Sequence, residues 1–211
     1  MTDTPAIKIK RWNARIPVRL EKEDADLPKR LRKPRYSHFE KLLAIYEMLD
    51  RYNALANGLP ACSKGCAFCC HMEIGILQVE ADLISAKIGI PAAQLSYNPA
   101  KKSEIFCDPM RPCPFLDPNF SCAIYPIRPM VCRTHVSFEA TDEPCRFESE
   151  SQGILLVDRA KSFPGAMKVY GELANQSGGS VGDIREFFGR ESLAIQTNMA
   201  VADKNTHIPS R

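Results

Sequence analysis

The sequence has no run of apolar residues approaching the roughly 20 that a membrane-spanning helix requires. Its first ten residues also lack the apolar core of a secretory signal peptide. A Ser-His-Asp order, a pair of catalytic carboxylates and a complete nucleotide-binding motif are likewise missing. We therefore expect a protein of the reducing cytoplasm, and no hydrolase or nucleotide-binding class is indicated.

Cysteine, by contrast, is abundant, with nine residues in 211. In a reducing compartment, thiols at this density are better interpreted as metal ligands than as disulfide partners. Four lie within nine residues, at Cys62, Cys66, Cys69 and Cys70. In a helix these sulfurs would share one face, but the outermost Cα atoms would be about 12 Å apart. Either the segment bends or two ions divide the ligands, and the adjacent pair favours two ions because neighbouring side chains diverge. The alternative is a helix that buries four free thiols as small apolar side chains.

A second group of cysteines lies in a proline-rich stretch. Prolines up to Pro129 exclude a long helix or a central strand there. Such a stretch has little regular backbone hydrogen bonding, and bonds between thiolates and metal would hold it together. A disordered loop with incidental cysteines is the alternative, but apolar residues such as Phe115 and Ile124 argue against it. The group comprises Cys107, Cys113, Cys122, Cys132 and Cys145.

Four motifs follow one another between residues 60 and 135: Cys62-x3-Cys66-x2-Cys69-Cys70, Cys113-Pro-Phe-Leu, Cys122-Ala-Ile-Tyr and Arg128-Pro-x-x-Cys132-Arg. Together they resemble the YkgJ family of bacterial cysteine-cluster proteins, which is described as carrying a zinc- or iron-chelating domain and is related to flagellin lysine N-methylase. The resemblance implies that seven thiols chelate metal. They are Cys62, Cys66, Cys69, Cys70, Cys113, Cys122 and Cys132.

The number of ions is left open by the sequence. Seven thiolates satisfy two tetrahedral zinc ions only if one sulfur bridges, unless Cys107, Cys145, His71 or His135 supplies an eighth ligand. A single iron–sulfur cluster takes four cysteines and leaves three thiols to explain. Thiolates accept zinc and iron alike. Nearby arginines, including Arg128 and Arg133, are expected to offset the charge of the thiolates rather than to bind an acidic substrate.

The basic residues are concentrated at the N-terminus. Residues 1–35 hold eleven Lys or Arg and five Asp or Glu, a net charge of +6, which leaves −3 for the rest of the chain. We expect residues 1–35 to form a disordered basic arm. A third and less favoured hypothesis is that this arm binds nucleic acid or an acidic partner. Residues 36–203 are expected to form the metal-binding domain, with its core motif at 60–135, and residues 204–211 a frayed tail.

The predicted fold is a small α-rich single domain with short β segments and irregular, proline-rich, metal-organised loops. The capping box Ser37-x-x-Glu40 opens a helix that stops at residues 57–60. A short strand is predicted near residues 72–77 and a helix over 79–89, where Glu80 complements the helix dipole. Further helices are predicted at 166–176 and 191–202.

Two classes of function follow. The first is a metal-binding protein whose zinc or iron centre, which includes an iron–sulfur cluster as an option, serves a structural, storage or sensing role. The second is a metalloenzyme, either an Fe–S oxidoreductase or a protein resembling a lysine N-methyltransferase, with Glu80, His71, Tyr125 or Arg128 beside the metal. Cys62-x3-Cys66-x2-Cys69 also resembles the radical S-adenosylmethionine signature. The chain after Cys70 lacks the strand and helix alternation of those enzymes, so this interpretation is disfavoured, and no catalytic residue is assigned.

Overall fold

The computed structural model describes residues 3–62, 65–96, 111–146, 159–176 and 180–189. These residues are mostly helical, and their one sheet pairs two short antiparallel strands, which confirms the α-rich single domain. No helix in these ranges is both long and apolar enough to cross a bilayer. The predicted helix at 191–202 and the tail at 204–211 lie outside the described residues. The elements are α1 (Pro5–Ala14), α2 (Val18–Leu31), α3 (His38–Ala54), β1 (Gly75–Leu77), α4 (Gln78–Ile88), α5 (Met130–Thr134), α6 (Arg159–Ser162), α7 (Pro164–Gln176), β2 (Val181–Asp183) and α8 (Ile184–Phe187).

Helix α3 begins at the predicted capping box. The Glu40 amide donates to the Ser37 hydroxyl at 3.2 Å, and the Ser37 amide donates to the Glu40 carboxylate at 2.7 Å. Both interactions satisfy amides that the first turn of a helix leaves unpaired. The helix ends at Ala54, and Gly58 adopts a left-handed φ of 78° just beyond it. The predicted stop at residues 57–60 is therefore close to the observed one.

The N-terminal residues form α1 and α2 rather than a disordered arm, so that expectation is wrong for residues 5–31. Their apolar residues Trp12, Leu20, Leu27 and Leu31 are buried. The three leucines recur at intervals of seven and four, which places them on one stripe of α2. The Trp12 indole also donates to the Tyr52 carbonyl of α3 at 2.9 Å. The high charge of α2 hid this stripe, because all of its charged residues except Asp24 lie outside the buried face of the helix.

A buried carboxylate joins α2 to α7. Asp24 is fully buried, and its two carboxylate oxygens accept the amides of Gly165 and Ala166, each at 2.9 Å. These are unpaired amides of the first turn of α7, so Asp24 caps that helix from a neighbouring one. A Cβ atom at Gly165 would collide with the backbone of Asp24. The absence of a side chain at Gly165 lets the two helices approach closely.

The middle of the chain has an apolar core of its own. It lies under the cysteine loops and is separate from the cluster formed by α1, α2, α3 and α7. Metal coordination is therefore not the sole support of this region, in contrast to the expectation of loops organised by metal alone. Its buried residues include Ile76, Ala81, Ile84, Phe115, Ile124, Phe187 and Phe188.

Candidate metal centre

The first cysteine segment is a bent loop and not a helix. Gly65 has a φ of 89°, a left-handed conformation that interrupts any helix there. Among the described residues of this segment, 62 and 65–71, only Phe68–His71 is helical, as one 3-10 turn. The helical alternative from the sequence is wrong, and the bent alternative describes the segment.

Backbone hydrogen bonds bring the two cysteine segments together. The amide of Cys113 donates to the carbonyl of Cys70 at 2.7 Å. The guanidinium of Arg185 donates to the same carbonyl at 3.0 Å, and to the carbonyls of Met72 at 3.1 Å and Arg111 at 2.7 Å. Arg185 is held by a buried ion pair with Asp183, at 2.9 Å. One C-terminal arginine thus fastens both segments, a role that the sequence analysis missed because nothing in the local pattern marks Arg185.

Cys132 lies on α5, which is fixed by the carboxylate of Glu80. Glu80 is fully buried and accepts the amide of Met130 at 2.8 Å and the hydroxyls of Tyr46 at 2.8 Å and Tyr170 at 2.6 Å. It also accepts the amide of Leu77 at the start of its own helix, at 3.0 Å. Four donors occupy its two oxygens, so Glu80 positions helices around the centre and is not available as a metal ligand. Glu80 lies in the first turn of its helix, as predicted, and it also makes contacts that no sequence pattern indicated.

All seven predicted cysteines line one or both of two cavities that share most of their lining cysteines. Six of them line a cavity of about 140 Å³. Cys62 joins five of these six around an adjoining cavity of about 560 Å³. Cysteines of the two sulfur-rich segments therefore lie side by side around these cavities, as a joint site would require. The six cysteines of the smaller cavity are Cys66, Cys69, Cys70, Cys113, Cys122 and Cys132.

The two arginines behave differently. Arg133 is 2% exposed and points away from the sulfurs, toward the carboxylate of Asp50 at 2.5 Å and the carbonyls of Pro126 and Arg128. The side chain of Arg128 lines the cysteine cavities, with its guanidinium 4.0 Å from the centre of the Tyr125 ring. Among the described residues, its Nε is the only buried side-chain nitrogen or oxygen without a hydrogen-bond partner. Such a donor is costly to bury unless an acceptor completes the site.

The thiols are held in their neutral form. Burial raises the pKa of Cys113 and of Cys122, and it raises the pKa of Cys132 to about 12. For Cys69 a hydrogen bond with the thiol of Cys70 is the main cause of a raised pKa, followed by burial. The positive charge of Arg128 acts in the opposite direction on Cys132, Cys122 and Cys69. A metal ion that binds here must therefore displace protons.

The other candidate ligands lie in different surroundings. His135 lines both cysteine cavities, together with Tyr125. The ring of His71 contacts the carbonyl of Ala67 at 3.2 Å. Cys145 lies beside the first cysteine segment, where its thiol shares a hydrogen bond with Ser137. Cys107 lies outside the described residues.

The donor set fits zinc or iron by its chemistry, because both ions accept thiolates. The orphaned Arg128 Nε also fits a centre that carries excess negative charge. Among the described residues, however, no three His, Cys, Asp or Glu side chains are arranged so as to hold an ion without movement. The thiols must turn about their Cα–Cβ bonds to bind one.

A cavity lined by six cysteines, bent loops and an unpaired arginine donor define a cysteine-cluster domain. Residues 61–148 match the family model described as "CxxCxxCC: Putative zinc- or iron-chelating domain", and the resemblance to the YkgJ family is consistent with this match. No curated protein and no solved structure matches the chain.

Proposed function

We propose that this protein binds zinc or iron through seven thiolates. The observation that carries the proposal is that cysteines of both segments line the same two neighbouring cavities. A bound ion would supply a compact positive centre that joins the two segments. The ligands we propose are Cys62, Cys66, Cys69, Cys70, Cys113, Cys122 and Cys132.

Arg128 supports this proposal as a partner of the ligands. Its Nε lacks an acceptor in the described structure and lies in a cavity walled by Cys69, Cys122 and Cys132. When those thiols become thiolates, they supply the missing acceptor, and a charge-assisted hydrogen bond offsets part of the negative charge. We infer a positioning role for Arg128 and a structural, storage or sensing role for the centre.

Anaerobic purification with elemental analysis and a visible spectrum tests the proposal. We expect about two zinc ions per chain, since each takes four thiolates and one of the seven sulfurs can bridge both ions. The alternative is iron with stoichiometric sulfide and a brown colour. The first result identifies a zinc protein and the second an Fe–S protein. A chain that retains neither metal, and takes up neither zinc nor ferrous iron when it is refolded anaerobically, contradicts the proposal.

Two serine substitutions test whether both segments contribute. Cys66→Ser and Cys132→Ser each remove one thiol from a different segment, and each should lower the metal content and the melting temperature of the metal-loaded protein. Ser85→Ala, on α4 and away from the cysteines, is the matched control. Metal content equal to that of the control in both variants would contradict a metal site shared by the two segments.

A metalloenzyme is the second candidate, either an Fe–S oxidoreductase or a protein resembling a lysine N-methyltransferase. The cavity of about 560 Å³ beside the thiols favours it, since this volume is in the range of small-molecule sites and Tyr125, Arg128 and His135 line it. The metal-loaded protein can be incubated with S-adenosylmethionine and lysine-containing peptides, and separately with one-electron donors. Methylated peptide or metal-dependent electron transfer would support this candidate. The absence of both activities would reject it.

We also propose that the protein works in a reducing compartment such as the cytoplasm. The eight cysteines in the described part of the chain are all free of disulfides. Thiols that serve as ligands must stay reduced, and the cytoplasm keeps them so.

A further inference from the structure

A basic groove of about 320 Å³ lies between α2 and α7. Ala25 and Gly165 line it, and their small size leaves room between the two helices. Lys29 and Arg32 line it from the end of α2, and Lys168 lines it from α7. None of its described lining residues is acidic, and none of them lines a cysteine cavity. The groove is therefore separate from the candidate metal centre.

The three cations of the groove have no carboxylate partner in the described part of the chain. Lys29, Arg32 and Lys168 are exposed, and none of them makes an ion pair or a side-chain hydrogen bond there. Elsewhere on α2, by contrast, Arg19 pairs with Glu23 at 2.8 Å. Like charges that surround one groove repel one another, and salt screens this repulsion only in part. An anion in the groove would remove the repulsion.

The ends of the two helices do not account for this arrangement. Lys29 lies in the last turn of α2, where a cation complements the helix dipole. Lys168 lies in the second turn of α7, near the positive end of that helix, where a cation has no such benefit. The amides of Gly165 and Ala166 already donate to the carboxylate of Asp24. The charged side chains, and not these amides, are the groups that can bind an anion here.

We propose that this groove binds phosphate groups. A phosphate carries more negative charge and more acceptor oxygens than a carboxylate, which suits three converging cations. The guanidinium of Arg32 can donate to two phosphate oxygens at once, and each lysine supplies a point charge. This site differs from the basic arm expected from the sequence, because α2 is folded and Lys168 lies outside residues 1–35. The proposal does not depend on metal binding.

The phosphate can come from two sources. One is a small phosphate compound, since the volume of the groove lies at the lower end of the range of small-molecule sites. The other is the backbone of a nucleic acid, whose phosphates dominate its attraction to basic proteins. Both sources present the same chemistry to the groove, and they are distinguished by the probe.

Calorimetric titration of the full-length protein with inorganic pyrophosphate tests the groove. We expect saturable binding, and Lys168→Glu should weaken it by at least about tenfold, since a hydrogen bond to a charged group is worth that much or more. Lys10→Glu makes the same change of charge at an exposed position on α1 and should retain the wild-type affinity. Pyrophosphate also chelates metal ions, but both variants keep every cysteine, so this contribution is equal in the two.

Fluorescence anisotropy with a labelled single-stranded oligonucleotide identifies the source. If the groove binds a nucleic acid backbone, the logarithm of the affinity should fall with the logarithm of the salt concentration with a slope of roughly −2, since each of three contacts contributes about −0.7. Lys168→Glu should make this slope less steep. Pyrophosphate binding without oligonucleotide binding identifies a small phosphate compound instead. Either result supports the groove.

Three results would overturn the proposal. They are no saturable binding of either probe, an equal loss of affinity in Lys168→Glu and Lys10→Glu, and competition by polyglutamate as effective as that by pyrophosphate. The last result would show that the groove does not distinguish phosphate from carboxylate. Thermal melts at low salt check the fold, and Lys168→Glu should melt no lower than the wild type because it relieves repulsion. If it does melt lower, the same comparison with the double variant Lys29→Gln, Arg32→Gln decides.

Discussion

At the scale of single residues, Glu80 supports the helices around the cysteine loops through its buried carboxylate. Its carboxylate accepts hydrogen bonds from α3, α5, α7 and the start of its own helix. Cys132 is two residues from the amide of Met130 that Glu80 binds. A fully buried carboxylate is tolerated here because each of its oxygens has two donors.

Replacing Glu80 with Gln tests this role. The amide nitrogen of Gln cannot accept the donors that one carboxylate oxygen accepts, so at least one buried N–H loses its partner at a cost of about 1–3 kcal/mol. We expect Glu80→Gln to lower the free energy of unfolding by that amount in denaturant titration, and to weaken metal binding through displaced α5. Glu47→Gln, at an exposed position on α3, is the control. Equal stability of the two variants would contradict the role.

At the scale of elements, the contact of α2 with α7 explains why the N-terminal residues are folded. The capping of α7 by Asp24 and the close approach at Gly165 depend on residues 141 positions apart in the chain. The sequence marks neither contact. The stripe of leucines on α2 could have predicted the helix, whereas the high local charge favoured disorder and led to the wrong expectation.

Gly165→Ala tests the docking of these helices. The added methyl group would overlap the backbone of Asp24, which cannot move aside as a flexible side chain can. Overpacking of this kind costs typically about 1–3 kcal/mol, measured as a loss in the free energy of unfolding.

The same helix supplies the control for that substitution. Gly171 has no atom within 4 Å of an added Cβ, so Gly171→Ala should be neutral or stabilising by up to about 1 kcal/mol. If both substitutions were stabilising, α2 would not pack on α7 as described.

At the scale of the whole molecule, metal binding and pH are coupled. Burial raises the pKa of Cys113, Cys122 and Cys132, so these thiols are protonated near neutral pH and release protons on binding metal. The apparent affinity should therefore rise with pH, by up to about tenfold per unit for each proton released. Competition with a chelator between about pH 6.5 and 7.5, corrected for the chelator's own protonation, measures this slope. A flat profile would contradict neutral thiols.

Without metal, the same raised pKa values affect stability in the alkaline range. An unfolded chain loses its thiol protons near pH 9, the ordinary value, whereas the buried thiols keep theirs. The unfolded state then binds fewer protons than the folded state, so stability falls as pH rises above about 9. Thermal melts of the metal-free protein at increasing pH should show this decline. Cys113→Ser removes one such thiol and should make the decline of stability with pH less steep.

The sequence alone determined the elements whose signals are local. Each of these signals lies within a few consecutive residues. They are the capping box of α3, the left-handed glycine after it, the helix that begins near Glu80 and the cysteine motifs. The chemistry of thiols then favoured metal binding, and the resemblance of the motifs to the YkgJ family implied the seven candidate ligands.

Only the tertiary structure decided which distant groups meet. Three contacts join residues 43 to 115 positions apart: the hydrogen bond from Cys113 to Cys70, the bond from Arg185 to Cys70 and the bond from the Ser137 amide to the Cys62 sulfur. No periodicity encodes such pairs, because they result from the packing of two apolar cores against the loops. The sequence did not distinguish Arg133 from Arg128. Burial alone shows that Arg133 supports α5 and that Arg128 faces the thiols.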